Sequence, residues 1–522
     1  MVAENTKNNT ILKSSYVVGG MTFVSRITGF VRDVIFANIF GASPSTDAFF
    51  VAFKIPNFFR RLFAEGAFIQ SFVPVLSEYK TKYPEKLKEF LQYIFGNLML
   101  VLFIITFLGI IFSDFIINIF APGFSNDDGR FLLASDMLKI TFPYLFFISL
   151  TAFCGGIFNT YDKFLLPSIT PVILNISLIS SALYLSNFFD EPIKALAYGV
   201  LIAGILQYII QFPSLLNLKL LVLPKIGFAI NGVNKVLKLM LPAILGTAVV
   251  QINLIIDSIV ASLLAAGSIS WLYYSDRLVE FPLGIFGIAL ATVILPTLSK
   301  QFSSNDLKNY KRTIHNALSL ALVFSIPAMF GLIILSKNII ISLFQYGSFT
   351  VDDTLMSSLS LIAYSVGLPA FILMKVLLTG FFSRQDTKTP VKYAIYAIIF
   401  NIIMNLSVVI YYSNNPFAGA HALLALATSL SAWIQVILLY QNLKKNNIIK
   451  TSLFFNTLSF KTIISSILMS SLLFLIVSPV EDWNAFSFYV RGFLLIMYIG
   501  IGGIIYVSVM YILGFRYKKY SI

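Results

Sequence analysis

Charge and cysteine are what this sequence has least of. Only 11% of its 522 residues are charged, and a single one, Cys154, is a cysteine, against 58% hydrophobic residues. Soluble domains carry about 25% charged residues, so an ordinary globular enzyme is excluded, and so is a disordered chain. One cysteine forms neither an intrachain disulfide nor a cysteine-based metal cluster. The only two histidines, His315 and His421, lie far apart, which argues against a zinc site. Long segments of strict apolar–polar alternation are missing too, which excludes an outer-membrane barrel. No nucleophile–base pair and no nucleotide-binding loop appears, so neither hydrolysis nor covalent catalysis is expected.

What is present is a series of apolar runs, each long enough to cross a bilayer. They predict an all-α, polytopic membrane protein of about fourteen helices. The runs lie near residues 15–40, 46–78, 88–113, 133–160, 165–187, 193–216, 230–264, 268–298, 310–336, 354–383, 389–412, 418–442, 459–479 and 490–514. Alternate connections collect the cations, among them Lys80, Lys82, Lys86, Lys88, Lys219, Lys225, Lys308, Arg384, Lys388, Lys444 and Lys445. The other connections hold Asp114, Asp190, Glu191, Asp352, Asp353, Glu481 and Asp482, with few cations such as Arg130 and Arg491. The positive-inside rule then places both termini in the cytoplasm. Most of the net charge of +14 reports orientation, and no nucleic-acid partner is expected.

The chain also matches itself. Pro74-Val-Leu-Ser77 pairs with Pro296-Thr-Leu-Ser299 and Lys86 with Lys308 at an offset of 222 residues, and Phe158, Thr160 and Pro167 meet Phe381, Ser383 and Pro390 at 223. Helices 1–6 thus correspond to helices 7–12 in the same orientation. The expected organisation is a cytoplasmic tail (1–14), an N-terminal lobe (15–218), a C-terminal lobe (219–445) and a final segment (446–522) holding two unrepeated helices. Two parallel repeats around a central cavity make a transporter architecture with alternating access.

Several charges fall inside the predicted spans. On the first helix, Thr22, Ser25, Arg26, Gly29, Arg32 and Asp33 share an arc of about 120°, and Arg26 is about 15 Å deep. On the second, Asp47, Lys54, Asn57, Arg60, Arg61 and Glu65 share an arc of about 140°, blurred by Pro56. The eighth adds Asp276, Arg277 and Glu280. A charge at mid-bilayer costs about 2.5–3.5 kcal/mol even on lenient scales, so these groups must face one another or water. Pairing between helices is one reading. The other is a cationic basin open to the cytoplasm below an outer gate containing Asp33 and Asp47. Arginine suits bidentate binding of phosphate or carboxylate.

Six segments carry a family resemblance: Ser25-Arg26-x-x-Gly29-Phe30-x-Arg32-Asp33, Thr46-Asp-Ala-Phe-Phe-Val-Ala-Phe-Lys-x-Pro-Asn57, Arg60-Arg61-x-Phe-Ala-Glu-Gly-Ala-Phe68, Tyr274-x-Asp276-Arg277-Leu-x-Glu280-Phe-Pro282, Phe344-Gln-Tyr-Gly347 and Ser383-Arg-Gln-Asp-x-Lys-Thr-Pro390. From about residue 15 onward the chain resembles the MurJ/MviN family of lipid II flippases, in the multidrug/oligosaccharidyl-lipid/polysaccharide exporter superfamily. The resemblance implies two six-helix lobes in a V shape, with the two extra helices forming a groove for the lipid tail. It implies that Arg26, Arg32, Arg60 and Arg277, with Lys54, Asn57 and Arg61 alongside, contact the diphosphate and head group. Asp33, Asp47, Asp276 and Glu280 would form the gate or hold those arginines. Some relatives bind Na+, for which Asp257, Asn401 and Asn405 are the candidate ligands here, although an amide at 405 replaces a carboxylate of the related motif.

The implied activity is movement of lipid II (an undecaprenyl-diphosphate-linked disaccharide-pentapeptide) from the inner to the outer leaflet of the bacterial cytoplasmic membrane, for cell-wall synthesis. No organic cofactor is expected, the coupling candidates being Na+ and the membrane potential. The partners are membrane lipids and the substrate, and the working unit is a monomer. The alternatives are a flippase for another polyprenyl-diphosphate-linked glycan, a cation-coupled drug exporter of the superfamily, and a scaffold whose charges only pair internally.

Overall fold

The computed structural model describes residues 2–126, 129–449 and 457–516, and among these every regular element is helical. The long helices are, in chain order, α1 (Val2–Phe40), α2 (residues 44–82), α3 (Pro84–Ile111), α4 (Arg130–Thr160), α5 (Leu165–Phe188), α6 (Lys194–Asn217) and α7 (Asn231–Ser262). They continue with α8 (Ser268–Ser303), α9 (Leu307–Ile334), α10 (Val351–Phe382), α11 (Lys388–Asn414), α12 (Ala420–Lys445), α13 (Thr457–Ile476) and α14 (Phe488–Ile512). Among the described residues eleven of them, all but α1, α2 and α7, are long and apolar enough to cross a membrane. Lys54, Arg60 and Arg61 interrupt the apolar run of α2.

Each element from α1 to α6 has a counterpart about 222 residues later, from α7 to α12, including the short helices Ser113–Phe120 and Ser336–Leu343. The correspondence extends to irregularities. α2 is π-helical over Arg60–Phe68 and α8 over Leu283–Ile288. Such segments are rare and concentrate at functional sites.

The chain forms two compact units, Met1–Ala266 and Gly267–Ile522. α7, which corresponds by sequence to α1, packs with the first unit. The segment leading into it is clasped by α3: Asn97 donates to the Gly227 carbonyl at 2.7 Å and accepts the Gly227 N–H at 3.0 Å. A Cβ on Gly96 would lie 2.2 Å from the Lys225 carbonyl oxygen, so only glycine fits there. The turn between α1 and α2 is set by Gly41, whose φ of 64° is left-handed, and by Ser43, whose hydroxyl accepts the Thr46 N–H at 3.2 Å.

Prolines inside helices leave backbone carbonyls without their usual donor, a serious cost in a medium without water. The fold supplies donors from neighbouring helices. Pro56 frees the carbonyl of Ala52, and the Thr141 hydroxyl on α4 donates to it at 3.0 Å. Within the second unit Pro327 frees that of Val323, and the Tyr506 hydroxyl on α14 donates to it at 2.7 Å.

Candidate functional site

In the first unit the charged stripe of α1 divides by environment. Arg26 is exposed, and among the described residues no side chain or carbonyl pairs with it. Arg32 and Asp33, just under two turns on, are buried. The Arg32 guanidinium donates twice to Asp33 Oδ1, at 2.9 and 2.7 Å, and once to Asn175 Oδ1 on α5 at 2.9 Å. Asn175 in turn donates to the Ser25 carbonyl at 3.0 Å and to the Thr28 hydroxyl at 3.1 Å. One amide inside an apolar helix thereby locks two turns of α1 onto α5.

On α2, Asp47 is fully buried in the first helical turn, where the helix dipole favours a carboxylate. Its ion-pair partner is Arg130 at the start of α4, 3.9 Å away, whose guanidinium stacks 4.8 Å from the centre of the Phe124 ring. Lys54 donates to the Ser258 hydroxyl of α7. Asn57 donates to the Phe53 carbonyl at 3.0 Å and accepts from Arg60 Nε at 3.1 Å. Arg60 is half-buried and Arg61 exposed, and both stand at the opening of the π-helical segment. The side chain of Glu65 lies outside the described residues.

In the second unit Arg277 and Glu280 form a half-exposed pair at 2.7 Å, with Arg277 stacked 4.9 Å from the Tyr273 ring and Asp276 exposed beside it. The N-terminal end of α8 is held firmly: Trp271 Nε1 donates to Asp353 at 2.8 Å, and Ser275 donates to the Ser357 carbonyl at 2.7 Å. Asp353 also closes a capping box with Thr350. The Ser383–Pro390 motif is a corner between α10 and α11. Asp386 Oδ1 accepts the Thr389 N–H at 3.0 Å, and Arg384 Nε donates to the Gly380 carbonyl at 3.0 Å. Partial burial works against ionisation of Asp386, yet hydrogen bonds from Thr389 and the charge of Arg384 hold its pKa below the ordinary value.

The Na+ candidates divide between the units. Asp257 belongs to the first, whereas Asn401 and Asn405 are fully buried one turn apart on α11 in the second. Amide and carboxylate oxygens suit a hard cation, and the two amides bring no charge.

Thus the proposed contacts fall into two groups. Arg32, Asp33 and Asp47 are packed against protein, whereas Arg26, Arg60, Arg61 and Arg277 remain accessible or partly so. Asn175, Ser258 and the pairing role of Arg130 were not found by sequence reasoning. A lone amide inside an apolar run was the only local signal for Asn175, and nothing local marks the other two.

The family model described as lipid II flippase MurJ matches residues 36–494. A probable lipid II flippase MurJ of Buchnera aphidicola subsp. Schizaphis graminum is 43% identical over 512 residues, covering 98% of each chain. One from Vibrio cholerae serotype O1 is also 43% identical, over 99% of this chain and 98% of its own. A solved structure of lipid II flippase MurJ in an inward closed conformation is similar with a TM-score of 0.79 at 33% identity, covering 95% of this chain and 98% of that one. A multidrug MATE-family transporter in an inward-facing conformation shares the fold, with a TM-score of 0.62 at 12% identity over 82% of this chain and 96% of its own.

Proposed function

The chain belongs to the MurJ family of lipid II flippases, and on that premise we propose that Arg26, Arg60, Arg61 and Arg277 receive the diphosphate and head group of lipid II. It is a transporter and no enzyme, a multi-pass protein of the bacterial inner membrane. The observation that carries the assignment of sites is Arg26, a cation inside a predicted span, exposed and without a protein partner among the described residues. An arginine in that position is costly unless water or an anionic substrate meets it. Arg32, Asp33, Asp47 and Arg130 hold α1, α2, α4 and α5 in place around it.

In this reading α1, α2 and α7 join the eleven apolar helices to make fourteen spans, with both termini cytoplasmic. Two six-helix lobes alternate access. The head group enters from the inner leaflet, the accessible arginines neutralise its diphosphate, and it leaves at the outer leaflet while the tail stays in lipid against α13 and α14. Without such neutralisation, each unsatisfied polar group would cost several kcal/mol in hydrocarbon. An inside-negative potential favours outward movement of the anion by about 2.3 kcal/mol per charge per 100 mV. Glu280 and Asp276 tune Arg277 and the gate. Asp257 in the first unit, and Asn401 and Asn405 in the second, are each candidate oxygen ligands for Na+, which would supply fixed positive charge where it binds. The protein works as a monomer.

The test is reconstitution of the purified protein into liposomes loaded with lipid II, with an impermeant head-group reagent reporting arrival on the far leaflet. Translocation of lipid II, without transport of a cationic dye, is the expected result. Dye transport with lipid II left behind would establish the drug-exporter alternative instead.

A further inference from the structure

Arg491 sits in the first turn of α14 and is 8% exposed, yet among the described residues no carboxylate meets it. Its donors go to backbone carbonyls. Nε reaches Trp483 O at 2.9 Å and Phe486 O at 3.0 Å, and Nη2 reaches Asn484 O at 3.1 Å. Nη1 reaches Ile341 O at 3.4 Å and Gln345 O at 3.3 Å. These carbonyls lie at or just past the C-terminal ends of two short helices, Ser336–Leu343 and Val480–Ala485. Carbonyls at helix C-termini mostly lack helical donors and form the negative end of the helix dipole, so a buried cation is satisfied there, even where Trp483 O also accepts the Phe486 N–H at 3.2 Å.

The segment Phe344–Gly347, a motif that head-group binding leaves unexplained, forms the other half of this joint. The Tyr346 ring lies 5.1 Å from the Arg491 guanidinium and 5.5 Å from Phe488. Gln345 donates to the Asn484 side chain at 2.9 Å and accepts the Thr354 hydroxyl of α10 at 2.8 Å. Phe344 is fully buried against Tyr274 of α8, ring centres 5.2 Å apart, two residues before Asp276. An unbroken line of contacts therefore runs from α14 through the motif to the helix that carries Arg277.

We propose that Arg491 is a positioning residue that seats the α13–α14 pair on the Phe344–Gly347 segment, so that the surface offered to a polyprenyl chain is held in fixed register with α8. This rests on the reading that α13 and α14 meet the lipid tail. The role requires arginine, because five donors in a planar fork span two helix ends, whereas a lysine ammonium acts as a single point.

The experiment uses full-length protein with Cys154→Ser, Gln345→Cys and Asn484→Cys, with and without Arg491→Lys, and a short thiol-specific cross-linker. In Arg491→Lys, cross-linking yield should fall about threefold or more. Translocation of an undecaprenyl-linked substrate should fall about tenfold, while that of a short-chain analogue changes less than about twofold. Closing the cross-link should restore the long-chain rate. Tyr346→Leu, with Arg491 intact, should show a weaker form of the same pattern. Unchanged cross-linking, or equal loss with both chain lengths, would overturn the proposal. If the parent protein already treats both chain lengths alike, the tail reading of α13–α14 fails, and the cross-linking yield alone then decides the seat.

Discussion

Arg26 and Arg32 lie on one face of α1 less than two turns apart, and alanine at each should produce opposite failures. Arg32→Ala removes three charge-assisted hydrogen bonds, two to the 1%-exposed Asp33 and one to Asn175. Breaking a buried pair of this kind costs about 3–5 kcal/mol. Asn175 also loses the partner that orients it toward Ser25 and Thr28, so α1 loosens from α5. Arg26→Ala removes no hydrogen bond or ion pair among the described residues, and its effect on stability should stay within about 0.5 kcal/mol. Its effect on translocation should be large. One charge-assisted bond to a phosphate oxygen is worth about 1.5–3 kcal/mol, or about 10- to 150-fold in rate if that bond forms only during transfer. Thermal unfolding in detergent, followed by aggregation, reads the first effect. Arrival of lipid II at the outer leaflet of proteoliposomes, at matched protein density, reads the second. Equal melting shifts for the two variants would refute the division into packed and accessible arginines. So would full translocation by Arg26→Ala.

Thr141→Val should destabilise by about 0.6–2 kcal/mol because it strips the donor from the Ala52 carbonyl. Pro56→Ala restores a backbone N–H to that carbonyl, so the same valine should then cost clearly less; additivity within about 0.5 kcal/mol in a double-mutant cycle would refute the compensation. Asp306 caps α9, with Oδ1 accepting the Asn309 N–H at 3.2 Å and Oδ2 its side-chain amide at 2.7 Å. These bonds, side chain first, hold its pKa below the ordinary 3.8 against slight burial, with Lys308 assisting. A depressed folded pKa means the cap contributes fully above about pH 4 and is lost as pH falls through the lowered value. Hydrogen exchange at the Asn309 amide, corrected for intrinsic rate, should therefore accelerate at low pH in the parent and stay flat in Asp306→Asn.

Hydropathy made the apolar spans legible, because length and polarity are local properties. The run predicted near 165–187 is α5 at Leu165–Phe188, and that near 389–412 is α11 at Lys388–Asn414. α1 starts earlier than its apolar run, at Val2, since no glycine or proline stops the helix before Gly19. The polar arcs were legible too, as collections of residues on one face. Their division was not. Whether Arg32 or Arg26 meets protein depends on Asn175, 143 residues away, and Asp47 finds Arg130 across the first unit. Nor does spacing reveal the π-helical turn at Arg60, which depends on packing around it.

α7 repeats the pattern of α1 yet packs with the unit that ends at Ala266. During synthesis, the first unit is therefore incomplete when the sixth helix leaves the ribosome. It must wait for α7, the opening helix of the second repeat, to emerge before Gly96 and Asn97 can close on the segment that precedes it. Duplication and folding are thus out of phase by one helix.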